Sequence, residues 1–226
     1  MPEELDSSEG SSQGAPIEQD SRLPRWLEWA REIQALAQTG HHFSFDNYNR
    51  ERYARLVEIA AEIISDHSQL EFQSLVKAFH AQIGYATPRV DVRGAVFQHG
   101  KLLMVRERAD GGWTMPGGWA DVGDVPSQAA EREVLEEAGL QVKATKVIGL
   151  YDANRVEPLE VFHAFKIVFL CELTGGEPHA SEETSEVAYF GQDEIPTLLS
   201  GERTRPRHIY DAFAAYHNPG LPTVFD

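Results

Sequence analysis

The chain changes its hydrophobic period between residues 84 and 90. Before this point, apolar side chains recur at spacings of three and four, which is typical of amphipathic helices. After Pro88 they alternate along the chain, which is typical of half-buried strands. Gly84 and Pro88 interrupt regular structure between the two patterns. The sequence therefore predicts a small helical N-terminal domain over residues 22–84 and an α+β domain over residues 88–226.

Residues 1–21 differ from the rest of the chain, because they are rich in Ser, Gly and acidic residues and offer few side chains to bury. Such a segment cannot offset the entropy lost on folding, so a disordered tail is expected. Over the whole chain, 42% of the residues are apolar and 25% are charged, as in ordinary globular proteins. This composition excludes collagen-like, wholly disordered and disulfide-framework proteins.

The charge balance limits which kinds of binding partner are expected. The chain has 20 Lys and Arg against 36 Asp and Glu, a formal net charge of −16. Such a surface repels polyanions, so duplex DNA is not expected as a partner. If the substrate is phosphorylated, a divalent metal held by carboxylates is the simplest source of positive charge.

The chain shows no sign of membrane insertion or secretion. No apolar run reaches the length of a membrane span, and the acidic N-terminus does not resemble a signal peptide. The single cysteine, Cys171, cannot form an internal disulfide and lies in "VFLCEL", which is typical of a buried strand. We therefore expect a cytoplasmic protein that requires no membrane partner.

Two helical stripes precede a third helix in the N-terminal domain. The stripes consist of Trp26, Trp29, Ile33 and Leu36, then of Tyr53, Leu56, Ile59 and Ile63. Between them, Gly40 is placed to end the first helix, and Asp46 or Asn47 to cap the second. A third helix is predicted from Leu70 to Ile83. The first stripe either packs against the second domain or forms an interface.

The second domain alternates strands and helices. The predicted strands are "VDVRGAVF", "GKLLMVRER", "KVIGLYDA", "LEVFHAFKIVFLCEL" and "EVAYF", with a turn at His99 and Gly100. Helices are predicted over residues 126–138 and 206–216. Along the first of these helices, Val134 and Leu135 are expected to face the sheet.

Three carboxylates of the predicted helix 126–138 carry the chemistry. Glu133, Glu136 and Glu137 stand at positions i, i+3 and i+4, which a helix places on one face. Like charges repel there unless they share a cation, and carboxylate oxygens suit Mg²⁺ or Mn²⁺. A solvated acidic surface is the alternative. Pro126 suits the first turn, and Gly139 is placed to end the helix.

The stretch "GGWADVGDVPSQAAEREVLEEAGL" resembles the signature of the Nudix hydrolase family, which fixes many residue types at set spacings. The positions in register are Gly118, Arg132, Glu133, Val134, Glu136, Glu137, Gly139 and Leu140. One position departs, because Asp124 stands where the family has Glu. Asp124 is expected to pair with Arg132 or to order the loop, more weakly than the longer side chain.

The resemblance implies the Nudix fold, a mixed sheet sandwiched between helices, and hydrolysis of a nucleoside diphosphate linked to another moiety. It implies that Glu136 and Glu137 are metal ligands and that Glu133 is a ligand or the general base. Arg132 would orient a carboxylate in the catalytic group, although an ordinary helix salt bridge with Glu136 is the alternative. Hydrolysis of a phosphoanhydride agrees with this residue set, since bound metals screen charge and activate water.

Further residues around the signature are candidate ligands of metal or substrate. Glu183, with Glu182 beside it, lies in an acidic loop that can add a metal ligand, or is a solvated turn. Arg93 and Arg106 are candidate phosphate ligands, although Arg93 can equally form a structural ion pair. Trp119 is the candidate stacking surface for a base or a cation.

The three glycines before the helix have a separate expected role. Gly117 and Gly118, with Gly123, allow the backbone to come close to a metal or phosphate, so Gly118 counts as a substrate-binding residue.

A second likeness lies outside the signature, in "FDNYNRERYARLVEIAAEI", "TPRVDVRGAVF" and "FKIVFLCELTGGE". These stretches resemble the Nudix subgroup that has an N-terminal helical domain and includes CDP-choline pyrophosphatases. The implied reaction is CDP-choline and water to CMP and phosphocholine, in a homodimer. The aromatic residues available to bind a quaternary ammonium are Tyr48, Tyr53, Trp113, Trp119 and Tyr151.

Three alternatives remain open at this point. The substrate can instead be ADP-ribose or a nucleoside di- or triphosphate, because the signature defines the chemistry and not the leaving group. Removal of nucleotides from RNA ends needs a basic track that the sequence does not obviously supply. A non-catalytic nucleotide sensor is the alternative from another class of protein.

Overall fold

A computed structural model describes residues 24–153, 161–201 and 203–226. The predicted tail over residues 1–21 lies outside the described residues. So does the beginning of the predicted strand "LEVFHAFKIVFLCEL". None of the helices in the described part of the chain has both the length and the apolar character needed to cross a membrane.

Three helices form the helical region, by which we mean residues 24–83. They are α1 (Arg25–Phe43), α2 (Asn47–His67) and α3 (Phe72–His80). Their shared core consists mainly of Leu27, Ala30, Ala37, Val57, Ala60, Ala61, Ile64, Leu75 and Phe79. The small alanines allow α1 and α2 to approach closely along their length. The prediction of three helices is confirmed.

The ends of these helices confirm one prediction and contradict two. Asp46 caps α2, because its carboxylate accepts a hydrogen bond from the backbone N–H of Asn49 at 2.7 Å. Gly40 does not end α1, which continues to Phe43. The ring of Tyr53 lies where a β-carbon at Gly40 would be, so this glycine allows close helix packing. The third helix begins later than predicted, because Glu71 caps α3 by accepting from two backbone N–H groups.

Residues 88–226, which we call the sheet region, contain one mixed sheet of eight strands in the part that the structure describes. The strands are β1 (Arg89–Gln98), β2 (Lys101–Glu107), β3 (Trp113–Thr114), β4 (Gly117–Trp119), β5 (Leu140–Asp152), β6 (Ala164–Gly176), β7 (Thr184–Phe190) and β8 (Val224–Phe225). The strand order is β3-β2-β1-β6-β5-β8, with β4 paired to β1 and β7 to β2. Strand β1 is parallel to β6 and antiparallel to β2 and β4. It therefore joins the two halves of the sheet.

The sheet lies between two helices, as predicted for a Nudix fold. Helix α4 (Pro126–Ala138) packs on one face and α5 (Pro206–His217) on the other, each over its own apolar cluster. Val134 is fully buried against the sheet, whereas Leu135 is exposed, contrary to expectation. The reason is the helical period, which turns the residue after Val134 away from the sheet. Cys171 is buried in β6, as expected.

The helical region docks on the sheet region through the residues just before β6. Val161 and Phe162 pack against the helical core, and the guanidinium of Arg31 donates to the carbonyl of Val161 at 3.1 Å. The rings of Phe79 and Phe162 meet edge to face, with centroids 5.8 Å apart. These contacts place α3 beside the beginning of β1 and β6.

Candidate active site

A cleft of about 920 Å³ lies where α4, β1, β4 and the loop before β7 meet. Its lining residues are Leu70, Arg89, Asp91, Arg93, Gly117, Gly118, Trp119, Arg132, Glu133, Glu136, Glu137, Val161, Phe162, Ser181, Glu182, Glu183 and Arg203. Most of the residues singled out from the sequence are among them. A wide polar cleft with convergent charged groups is the expected setting for a small-molecule site.

Helix α4 presents the acidic residues because its other face is occupied by packing. Val134 lies against the sheet, and Gly94 on β1 leaves room for it, since a β-carbon there would be only 2.5 Å from the Val134 methyl. Gly139 ends the helix in the left-handed conformation, with φ of 72°. With Val134 turned inward, Glu133, Glu136 and Glu137 line the cleft.

Glu137 is the most enclosed of these carboxylates, with only 4% of its surface exposed. Its Oε2 accepts a hydrogen bond from the backbone N–H of Gly117 at 3.0 Å. Burial raises the pKa of Glu137 to about 7, although Arg93 and the Gly117 N–H act in the opposite direction. Enclosed negative charge of this kind is stabilised by a bound cation.

Arg132 connects the remaining acidic groups. Its guanidinium lies 2.8 Å from Glu133, 3.0 Å from Glu136 and 3.2 Å from Asp124. Asp124 also accepts from the backbone N–H of Asp121 at 3.0 Å, so it both pairs with Arg132 and orders the loop. Burial raises the pKa of Glu133, and the charge of Arg132 opposes that shift. A β-carbon at Gly118 would lie 3.0 Å from a Glu133 oxygen, so the glycine leaves room for this carboxylate.

The donor set fits a hard divalent cation in chemistry, since it consists of carboxylate oxygens on one helix face. As the side chains stand, no three acidic, histidine or cysteine residues in the described ranges converge tightly enough to hold a metal ion. The physical reason is Arg132, which draws Glu133 and Glu136 to itself. A cation that takes these carboxylates would therefore displace the guanidinium from at least one of them.

The two candidate phosphate-binding arginines lie in different surroundings. Arg93 is buried at the base of the cleft and donates to Asp91 at 3.0 and 2.6 Å, in a cluster that includes Lys166. Burial alone would raise the pKa of Asp91, but these two cations hold it below its ordinary value. Arg106 does not line the cleft, because it pairs with Glu186 at 2.6 Å. This position removes Arg106 from the candidate phosphate ligands.

Of the remaining candidate residues, some line the cleft and others lie elsewhere. Trp119, Glu182 and Glu183 line the cleft. The other four aromatic residues considered for a cation cage lie elsewhere: Tyr48 is exposed on α2, Tyr53 packs on Gly40, Trp113 contacts Phe190, and Tyr151 is buried beside Asp211. These four residues therefore do not join Trp119 in a cation cage in the cleft.

Local sequence patterns did not indicate several of the residues that line the cleft. Arg89, Phe162, Leu70 and Arg203 come from four separate parts of the chain and belong to no local motif. The guanidinium of Arg89 lies 3.9 Å from the ring centre of Phe162 and 5.8 Å from that of Trp119. Its place immediately after Pro88, at the beginning of a buried strand, is the one signal that the sequence offered.

Comparisons with known proteins agree with this geometry. Residues 24–79 match the family model of the UDP-X-like, N-terminal oligomerisation domain, and residues 87–213 match that of the NUDIX domain. A Bacillus subtilis (strain 168) protein, YjhB, described as a candidate ADP-ribose pyrophosphatase, is 35% identical over 203 residues. These residues cover 89% of this chain and 97% of that protein.

Two solved structures extend the likeness. An ADP-ribose pyrophosphatase from Streptococcus suis 89-1591 is 35% identical and has a TM-score of 0.57, covering 62% of this chain and all of that one. A UDP-X diphosphatase is 27% identical with a TM-score of 0.58, covering 89% of this chain and 98% of that one. The chain belongs to the Nudix hydrolase family, whose members generally need divalent metal ions. It is an enzyme that hydrolyses pyrophosphate bonds.

Proposed function

We propose that this Nudix hydrolase cleaves ADP-ribose, with water, into AMP and ribose 5-phosphate. The observation that carries the proposal is the placement of Glu133, Glu136 and Glu137 on the wall of one cleft wide enough for a nucleotide. The substrate choice is supported by two relatives of 35% identity whose names specify ADP-ribose. The same cleft also suits the wider class of nucleoside diphosphates linked to another moiety.

We assign roles to this chain's residues accordingly. Glu136 and Glu137, with Glu133, would hold Mg²⁺ or Mn²⁺, and Glu183 lies on the same cleft as a further carboxylate. The bound cation supplies charge neutralisation at the diphosphate and a water of lowered pKa. Glu133, half-enclosed and with a raised pKa, suits a group that accepts a proton from that water. Arg132 orients Glu133 and Glu136, and Gly117 fixes Glu137 through its N–H.

CDP-choline is the second candidate substrate. Trp119 offers an aromatic face in the cleft, and Glu182 and Glu183 offer negative charge, which together suit a quaternary ammonium. The Trp119 ring already has the Arg89 guanidinium as a neighbour, which disfavours a second cation at the same face. For this reason we rank CDP-choline below ADP-ribose.

Product analysis tests the proposal directly. The purified protein is incubated with ADP-ribose, CDP-choline, a UDP-sugar, a nucleoside triphosphate or a short RNA, each with Mg²⁺, Mn²⁺ or EDTA. We expect metal-dependent AMP release to be fastest from ADP-ribose. Faster release of CMP from CDP-choline would reverse the ranking. Binding of nucleotides without any turnover would favour the sensor.

We also propose that the protein is a homodimer built through the helical region. Trp29, Leu36 and Phe43 follow one another every seven residues along α1 and are 51%, 64% and 59% exposed. An exposed row of apolar side chains along one helix is typical of an interface. In addition, residues 24–79 match the family model of an oligomerisation domain. Sedimentation should show a dimer, and the double substitution Trp29→Glu with Leu36→Glu should give a folded monomer. A monomeric wild type would contradict the proposal.

A further inference from the structure

Among the described residues, four arginines line the cleft, and three of them already have carboxylate partners. Arg93 pairs with Asp91, Arg132 with Glu133, and Arg203 with Glu107 at 2.9 Å. Arg89 is different, because its guanidinium makes no ion pair or hydrogen bond with any described residue. Its positive charge is therefore the one in the cleft that no described carboxylate neutralises.

Arg89 is nevertheless held in place. Its backbone N–H donates to the carbonyl of His163 at 2.9 Å, which ties the beginning of β1 to the segment before β6. Its guanidinium lies 3.9 Å from the centre of the Phe162 ring, with Trp119 next to it. A guanidinium stacked on an aromatic face keeps its N–H edge available for an anion.

The cleft needs such a group. The wall formed by α4 and the loop before β7 carries five carboxylates, Glu133, Glu136, Glu137, Glu182 and Glu183, which repel an anionic diphosphate. A metal held by the α4 carboxylates would neutralise charge on that wall. Arg89 comes instead from β1, beside β4, where Asp91 is paired with Trp119. It can therefore meet a substrate phosphate from outside the metal-binding group.

We infer that Arg89, with Phe162 and Trp119, forms an anion subsite that binds a phosphate of the nucleotide substrate. This inference rests on the proposed function and adds a recognition group to it. The guanidinium edge donates hydrogen bonds to a phosphate oxygen, while the two rings restrict the side chain to that direction. Arg89 thus contributes to substrate affinity and alignment, and the bond-breaking chemistry belongs to the carboxylate group.

The helical region contacts this subsite through the ring of Phe162. The ring of Phe162 lies under the Arg89 guanidinium. The same ring also contacts Phe79 of α3 edge to face. Docking of α3 therefore fixes the ring on which Arg89 rests. Phe79 acts as a positioning residue, and its effect on the substrate should operate through Arg89.

Kinetics and binding test the inference together. In Arg89→Ala we expect KM to rise roughly 10- to 100-fold, as for loss of a hydrogen bond to a charged group, with kcat changed less than about 3-fold. Arg89→Lys should recover part of the loss because it keeps the charge. Lys101→Ala, which removes a cation paired with Glu194 outside the cleft, is the matched control and should leave KM unchanged.

Calorimetry without substrate turnover separates this inference from the proposed function. AMP should bind Arg89→Ala roughly 10-fold or more weakly than wild type, whereas adenosine should bind both equally. An equal loss for adenosine, or unchanged AMP affinity, would overturn the subsite. Absence of turnover in the wild type would defeat the proposed function alone. If Arg89→Ala does not fold, Arg89→Gln, which also removes the charge, provides the same comparison.

A double-mutant cycle tests the role of Phe79. Phe79→Leu should raise KM in wild type by a smaller factor than Arg89→Ala does. In the Arg89→Ala background it should have almost no effect on KM, because the group that it positions is missing. Additive effects on KM would contradict the positioning role.

Discussion

The helical region and the sheet region differ in the kinds of side chain that they bury. Among the described residues, the helical core buries no charged side chain, and its buried polar groups are two glutamines bonded to each other at 2.8 Å. The sheet region buries Asp91, Arg93, Lys166, Glu107 and Glu137, mostly beneath the cleft. Large exposed apolar residues occur in both regions, and those of the helical region include a row along α1, Trp29, Leu36 and Phe43.

We interpret this difference as two different roles for the two regions. Burial of charge costs free energy unless each group is paired, so a cluster of this size beneath a cleft indicates that the charges serve chemistry. Exposed apolar surface is unfavourable in water, and contact with another molecule removes it from the solvent. We therefore associate the sheet region with the proposed reaction, and the helical region with the proposed assembly and with support of the cleft.

The largest expected effect comes from the buried carboxylate of the cleft. Glu137→Gln should reduce kcat by at least roughly 100-fold, because the amide keeps the shape and the contact with Gly117 but lacks the charge. The fold should persist, since a neutral group is easier to bury. Steady-state kinetics and thermal melting are the measurements. Glu131→Gln is the control on the same helix, as Glu131 pairs with Lys143 outside the cleft. Near-normal activity of Glu137→Gln would mean that the reaction occurs elsewhere.

The next effect concerns the close packing of α1 on α2. Gly40→Ala should destabilise the protein by about 1 to 3 kcal/mol, because the added methyl group would overlap the Tyr53 ring. In the Tyr53→Ala background the same change should instead stabilise by about 0.5 to 1 kcal/mol, as alanine does within a helix. Urea unfolding of the four proteins measures this reversal. If the sign is the same in both backgrounds, the ring contact is not what requires glycine.

A third effect exploits the buried histidine of the sheet region. Burial lowers the pKa of His208 to about 3, with the charge of Lys166 acting in the same direction. Between pH 6.5 and 3 the unfolded chain binds the proton and the folded chain does not, so stability falls as the pH falls. This amounts to about 2 kcal/mol between pH 7 and pH 5.

The His208 effect must be measured as a difference. Glu137 has a raised pKa, so it binds a proton in the folded state over part of the same range and stabilises as the pH falls. We therefore compare wild type with His208→Gln in urea unfolding of the metal-free protein at pH 7 and pH 5. Wild type should lose about 2 kcal/mol relative to the variant. A constant difference would show that the imidazole already titrates normally.

The smallest effect is expected where the chain departs from the Nudix signature. Asp124→Glu restores the family residue, and the partly exposed pair with Arg132 at 3.2 Å should strengthen by less than about 1 kcal/mol. Activity should rise less than about 3-fold. A salt titration of the melting temperature in both proteins measures the pair. A large gain in activity would show that Asp124 limits the reaction.

Local patterns in the sequence predicted much of the fold and one wall of the site. Helix α4 runs from Pro126 to Ala138 as expected, because a proline begins these thirteen residues, the helical period runs through them, and a capping glycine follows them. The signature likewise placed Glu133, Glu136 and Glu137 on one face. One exception was Gly40, where the local rule for a helix end was overridden by contact with Tyr53.

The rest of the site could not be predicted in this way. Arg93 and Arg106 were both candidate phosphate ligands on neighbouring strands, yet one lies under the cleft and the other pairs with Glu186. Arg89 and Phe162 are 73 positions apart and meet only because β1 and β6 run side by side. No spacing rule of a single helix or strand connects such residues.

By itself, the sequence determined the period of each element, the acidic face of α4 and the family to which the chain is similar. These properties depend on neighbours within about one or two helical turns, whose geometry the backbone specifies. Only the tertiary structure decided which arginines reach the cleft, how Arg132 divides its contacts, and that α3 stands behind Phe162. Those outcomes depend on strand order and domain docking, which are set by packing between distant segments of the chain.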